Sequence, residues 1–279
     1  MLRTRVITAL VLLALILPAI IFDPPLLWSL LALAFLALAA FEWNQLRAGV
    51  NAGGSQASLR FAVLVFSSGL AWLLIDAVWP LLADRLALIL MAVAAVFWIV
   101  AAPWRLRSLP LSAGPAALAM LVLLACWLAL VELRAIGPLA LFAAMGVVWL
   151  ADIGAYFVGR GFGRRKLAPA ISPGKSWEGV YGGMFCVVIV SLVAAAAPAL
   201  DTTLPARLVG LAGPIVAVVV MSLLSLLSVI GDLYESALKR SAGVKDSGKT
   251  LPGHGGVLDR VDGLIPVMPC IALLHRVLQ

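Results

Sequence analysis

Charge is scarce in this sequence. Charged residues fill 12% of its 279 positions, against about 25% in ordinary soluble domains. No polar stretch is long enough to enclose a core of its own, which excludes a separate soluble domain. Cysteine is nearly missing as well. Cys126, Cys186 and Cys270 each stand alone in an apolar run, with no C-x-x-C pair and no histidine close by in sequence. That pattern excludes a disulfide framework and a soft-metal centre, and it suits small buried hydrophobes. Internal repeats are absent, and low complexity goes no further than leucine and alanine richness, as at residues 194–197. The first apolar run follows Arg3 and Arg5, but Phe22-Asp23-Pro24-Pro25 lacks a small-x-small cleavage site. It reads as a retained helix rather than a removed signal.

What the sequence does have is apolar length. Apolar residues make up 64% of the chain and mean hydropathy is +1.13, the composition of an integral membrane protein. A helix needs about 20 mostly apolar residues to cross a bilayer. Nine such runs can be laid down, near 6–22, 25–42, 61–80, 85–103, 112–132, 137–158, 179–198, 206–230 and 257–276. The fold expected is all-α and polytopic, one membrane domain over 1–279 with its N-terminus in the cytosol. With that orientation fifteen basic residues face the cytosol and four, Arg85, Arg134, Arg207 and Arg276, face away. The acids Asp23, Asp84, Glu132 and Asp201 accompany those four. This is a positive-inside bias. The net charge of +7 therefore describes topology and an anionic-lipid face, not a nucleic-acid partner.

Polarity is divided unevenly along the chain. Residues 1–135 read as helices for packing and lipid contact, with Asp76 near one end of a span. Residues 136–279 carry the chemistry, on helices joined by cytosolic loops 159–178 and 232–258. Asp152 sits about two turns inside the sixth span, where an ionised carboxylate costs at least ~2.5 kcal/mol and seeks a polar cavity or a partner such as Arg160. The loop after it sets Arg160, Arg164, Arg165, Lys166 and Lys175 among glycines, a composition suited to phosphate but also ordinary for a cytosolic loop. Ser172-Pro173 sets a turn, and Ser176 is placed to cap a helix starting at Trp177, leaving backbone amides free near Lys175.

Residues 236–263 hold nine ionisable side chains. The eighth span is expected to continue as helix through GDLYESALKR, which puts Asp232, Ser236 and Lys239 on one face. Asp259 and Asp262, three apart, repeat the device at the start of the ninth span. Between them Pro252, Gly253, Gly255 and Gly256 keep the chain from being helical. Carboxylates without nearby sulfur are hard oxygen ligands, and beside phosphates they suit magnesium. A salt-bridge network closing a helix hairpin would use the same charges. A transporter gate would place polar groups nearer the bilayer midplane. Gly243 to Thr250 spells G-x-x-x-x-G-K-T, but no strand precedes it and no helix follows, so the phosphate-loop match is read as coincidence. His254, flanked by glycines, suits hydrogen bonding or loop shaping, and His275 an interface position.

These residues resemble the phosphatidate cytidylyltransferases, also called CDP-diacylglycerol synthases. Ser236, Lys239, Arg240, Lys245, Asp246, Gly248, Pro252, His254, Gly255, Gly256, Asp259, Arg260 and Asp262 all stand where that family's pattern has them. So do Asp152, Gly154-Ala155-Tyr156, Gly159, Phe162-Gly163, Leu167-Ala168-Pro169, Ile171-Ser172-Pro173, Lys175 and Trp177-Glu178-Gly179. The motifs cover about the last 130 residues. Gly263 replaces a serine often found there, a departure read as harmless.

The resemblance implies transfer of a cytidylyl group from CTP to phosphatidate, with magnesium and room for a second cation. Taken with the acid spacing above, Asp232, Asp246, Asp259 and Asp262 are the metal-site candidates, Asp246 and Asp259 foremost. Lys239, Arg240, Lys245 and Arg260 would hold phosphates, and His254 stands with them in the catalytic group. Ser172, Lys175, Ser236, Gly255 and Gly256 are candidates for binding the nucleotide or the lipid head group. The setting implied is a bacterial inner membrane with the site on the cytosolic side, where CTP is. Oligomeric state stays open, a homodimer included.

Overall fold

Proline opens several of the long helices, because a residue with no N–H costs nothing in a first turn whose amides are unpaired anyway. In this computed structural model, which describes residues 2–22, 25–48 and 54–278, α1 is Leu2–Ile21 and α2, Pro25–Ala48, begins on proline. Then come α3 (Ser55–Val78), α4 (Pro80–Val96), α5 (Ala102–Arg105), α6 (Ala116–Ile136) and α7 (Pro138–Phe162). A hairpin of β1 (Lys166–Ala168) and β2 (Ser172–Ser176) follows, then α8 (Trp177–Ala195), α9 (Leu204–Ala212), α10 (Pro214–Ser241), α11 (Leu258–Val261) and α12 (Leu264–Val277). Asp23, counted above among the acids facing away from the cytosol, lies outside the described residues.

Among the described residues, seven helices are long and apolar enough to cross a membrane: α2, α3, the continuous Pro80–Arg105, α6, α7, α8 and α10. They correspond to seven of the nine expected runs. The described apolar part of α1 is Val6–Ile21, and α12 has 14 residues, about 21 Å of helix at 1.5 Å per residue. The eighth run, expected over 206–230, is corrected. Gly213, at φ +85°, ends α9, and Pro214 opens α10, which does continue through GDLYESALKR to Ser241. The ninth run is likewise divided into α11 and α12. A short antiparallel hairpin, β1 with β2, interrupts the otherwise helical fold.

Small residues set the closest helix contact. Gly179 and Gly183 of α8, one turn apart, face Ala151 and Ala155 of α7, so backbone meets backbone. A Cβ on Gly183 would stand 2.6 Å from the Ala151 carbonyl oxygen, and one on Gly179 2.9 Å from that of Ala155. Gly231 of α10 plays the same part against the α11–α12 junction, its place for a Cβ taken by the Asp262 carbonyl and Pro266. That approach brings Asp232 beside Asp262. Gly263 is not spatially neutral either, since a Cβ there would lie 2.8 Å from Ser228 Oγ and from Val148 Cγ1. A serine here, as the family pattern has it, would need the Ser228 or Val148 side chain to shift.

Buried aromatics pin α10 to the N-terminal helices. Tyr234 packs against Trp43 at 6.1 Å, Phe97 at 5.8 Å and Trp98 at 5.3 Å between ring centroids. Phe97 and Trp98 are adjacent in sequence and open a wider π-helical turn over residues 97–101, a distortion common near functional sites. At the far end of the bundle Arg276 of α12 meets Asp84 of α4 at 2.7 Å and both carboxylate oxygens of Glu132 of α6, at 2.7 and 2.8 Å. The charge count put all three on one side of the membrane, and they do meet.

Candidate active site

The C-terminal turns of α10 present Asp232, Glu235, Ser236 and Lys239 along one face. Glu235 lies one turn after Asp232 and one turn before Lys239. Lys239 Nζ stands 2.5 Å from a Glu235 oxygen and 2.7 Å from Asp259 Oδ1, so it bridges α10 to α11. Ser236 Oγ donates to Asp232 Oδ1 at 3.3 Å. Lys175, carried on β2, forms an ion pair with Asp232. The hairpin thereby brings the 159–178 loop to α10, a link that helix spacing alone does not provide.

Three carboxylates converge. Asp232, Glu235 and Asp262 each offer an oxygen, and these oxygens lie within 4.8 Å of one another. The donor set is all oxygen with no sulfur or imidazole, which fits a hard divalent cation such as magnesium. Of the four acids expected at a metal, Asp232 and Asp262 are therefore together and Glu235 joins them. Asp259 is held otherwise. It takes hydrogen bonds from Lys239, from the Gly256 amide at 2.9 Å and from the Ser247 amide at 3.2 Å. Asp246 lines a separate cleft.

Two clefts flank this group. One, of about 570 Å³, lies among α7, α8, β2 and α10, and its lining includes Asp152, Tyr156, Arg160, Lys175 and Asp232 with Val180 and Val229. Arg160 donates to the Tyr156 hydroxyl at 2.8 Å rather than to Asp152. The other, of about 610 Å³, is bounded by Phe41, Glu42 and Gln45 of α2 and by Lys245, Asp246 and Lys249 of the loop.

Several basic residues are engaged with backbone. Arg240 Nε donates to the Ile171 carbonyl and its Nη1 to that of Val244, each at 3.2 Å. Arg260 donates twice to the His254 carbonyl, at 3.2 and 2.5 Å. His254 itself sits in a turn closed by Leu251 and Gly255, whose backbones pair. Ser172 pairs with Ala168 across the hairpin. Ser176 caps α8 as expected, its hydroxyl accepting from the Gly179 amide at 3.2 Å, while Glu178 accepts from the amides of Arg164 and Arg165, each at 3.1 Å.

The sequence reading missed Glu235 and Glu42. Glu235 was legible from its i, i+4 spacing to Lys239. Glu42, near the end of α2 and fully buried, accepts from the amides of Val257 (3.1 Å) and Leu258 (2.7 Å), from Ser247 Oγ (3.1 Å) and from the Thr250 hydroxyl. Its partners lie more than 200 positions away, beyond any local spacing. Its one local signal is a carboxylate at the end of an apolar span.

The sequence model of the Cytidylyltransferase family matches residues 3–278. The chain belongs to this family. A cytidylyltransferase from Pseudomonas aeruginosa, a phosphatidate cytidylyltransferase, is 40% identical over 98% of this chain and 97% of its own. Phosphatidate cytidylyltransferases of Haemophilus influenzae and Bacillus subtilis are each 43% identical, over 46% and 53% of this chain and 43% and 53% of theirs. In this cytidylyltransferase the G-x-x-x-x-G-K-T run is no phosphate loop. Thr250 faces Glu42, and Pro252 and a turn follow where a helix would open. Lys249→Ala therefore keeps activity within about tenfold of the parent, a barrier change near 1.4 kcal/mol. Complete loss in a folded variant, measured in detergent, would reopen the phosphate-loop question.

Proposed function

We propose that this cytidylyltransferase transfers the cytidylyl group of CTP to phosphatidate, giving CDP-diacylglycerol and pyrophosphate, at the cytosolic face of a bacterial inner membrane that its chain crosses nine times. The observation that carries the reading is the meeting of Asp232, Glu235 and Asp262 beside Lys175 and Lys239. That grouping of hard anionic ligands and cations is what a phosphate-to-phosphate transfer uses.

A phosphate oxygen of phosphatidate attacks the α-phosphorus of CTP. The bond from that phosphorus to the bridging oxygen of the β-phosphate breaks, and pyrophosphate leaves with the electron pair. The nucleophile is already anionic and needs no base, so the chain supplies position and electrostatics. Magnesium, held by Asp232 and Asp262 with Glu235, would neutralise phosphate charge. Lys175 and Arg160, in a cleft whose other wall is Val180 and Val229, suit a lipid phosphate with apolar chains attached. Lys245 and Lys249 line the second cleft, which suits the nucleotide. Lys239 holds Asp259 and Glu235 in register between the two.

A substrate panel tests this. With CTP and magnesium, phosphatidate yields a CDP-lipid and diacylglycerol yields nothing. A phosphorylated product from diacylglycerol or a polyprenol would instead mark a CTP-dependent kinase. Chelation of magnesium stops the reaction and added magnesium restores it.

A further inference from the structure

Glu42 is the buried acid that the transfer chemistry leaves unused, and everything around it is a donor. Two backbone amides and two hydroxyls point at its carboxylate, all from residues 247–258. An oxygen pair that only accepts is what such a setting requires. Two glycines then close over it. The three atoms nearest to a Cβ on Gly248 are all Glu42's, its Oε1, Cδ and Cγ, and a Cβ on Gly256 would meet Glu42 Oε2 and Ser247 Oγ. Side chains at 248 and 256 would evict the carboxylate. Trp43, the next residue, packs on Tyr234 of α10, which ties α2 to α10 beside this contact.

The consequence passes to Asp259. The residue whose hydroxyl Glu42 holds, Ser247, and the residue before the amides it holds, Gly256, supply the two backbone donors that fix the Asp259 carboxylate. We infer that Glu42 is a positioning residue: from an N-terminal helix it sets the 247–258 loop, and through it the placement of Asp259. Gly248 and Gly256 are then glycine in order to admit a carboxylate from α2, not to let a phosphate approach the backbone. The inference rests on the cytidylyl-transfer reading above for its kinetic consequence only.

The test compares the parent protein with Glu42→Gln, Glu42→Asp and Gly248→Ala, and with Gly248→Ala on a Glu42→Ala background. Glutamine keeps the shape but turns an NH2 toward donors. It should lower kcat by about 10- to 100-fold, the size of effect seen when the hydrogen-bond partners that orient metal ligands are removed, with KM for CTP little changed. Aspartate, an acceptor one methylene shorter, should recover part of that loss. Hydrogen exchange at the amides of Ser247, Gly256, Val257 and Leu258, read without substrate, should quicken in Glu42→Gln. Gly248→Ala should lower thermal stability in the parent and have little effect once Glu42 is alanine.

Parental kcat and exchange in Glu42→Gln would overturn the inference, as would a loss confined to KM for CTP, which would put Glu42 at the nucleotide. An equal cost of Gly248→Ala in both backgrounds would overturn the role given to Gly248. Silence of the parent enzyme would sink the reaction assignment instead, and the exchange arm would still judge Glu42.

Discussion

Asp259→Asn abolishes CDP-diacylglycerol formation while the protein still inserts and purifies. Asp259 uses both oxygens, one on Lys239 at 2.7 Å and the other on the Gly256 amide at 2.9 Å. Asparagine has one acceptor oxygen, so its NH2 must face either an ammonium or a backbone N–H. The clash dislodges the side chain from Lys239 and loosens the loop that Gly256 belongs to. Removing one group that fixes charge in a transfer site costs about 100-fold or more. Insertion is spared because asparagine carries no charge, and an uncharged side chain costs less in the bilayer than an ionised aspartate. Product counting with purified protein checks this, and full activity would remove Asp259 from the site.

Lys239→Met carries the second large effect, and it falls on stability as well as rate. The Lys239 side chain is 12% exposed and is paired with two acids that are themselves nearly enclosed, Glu235 at 3% and Asp259 at 12%. Methionine fills the volume but leaves two carboxylates facing one another with no cation. Breaking a buried pair in this way costs about 3–5 kcal/mol. Arg165→Ala provides the contrast, since Arg165 is 70% exposed beside Glu178, and exposed pairs contribute at most about 1 kcal/mol. Thermal unfolding in a single detergent should separate the two variants widely. Parental stability in Lys239→Met would mean that the acids find another partner.

The split between what the sequence disclosed and what it hid follows from distance along the chain. The continuation of α10 to Ser241 and the Ser176 cap are local facts, readable from spacing and side-chain chemistry. The family's motifs likewise cluster within the last 130 residues, so the site could be placed on α10, α11 and the loop between them. Other features depend on contacts between remote segments. Gly231 brings Asp262 against Asp232 because the backbone at residue 262 occupies the place of a missing Cβ, and no periodicity encodes that. Lys175 reaches Asp232 through a hairpin that the glycine- and proline-rich run 166–176 did not announce. The divided eighth run turns on one glycine with positive φ ahead of a proline, inside what looked like uninterrupted apolar length. Glu42 was hidden for the plainest reason, since its partners arrive from the other end of the molecule.

Whether this chain is a cytidylyltransferase acting on a lipid phosphate is best decided with detergent-purified protein, phosphatidate, magnesium and CTP labelled separately at the α- and γ-phosphates. The α-label should enter the lipid fraction and the γ-label should leave as pyrophosphate, one for each lipid converted. A lipid carrying γ-label, or no labelled lipid from any of several lipid phosphates, would contradict the account.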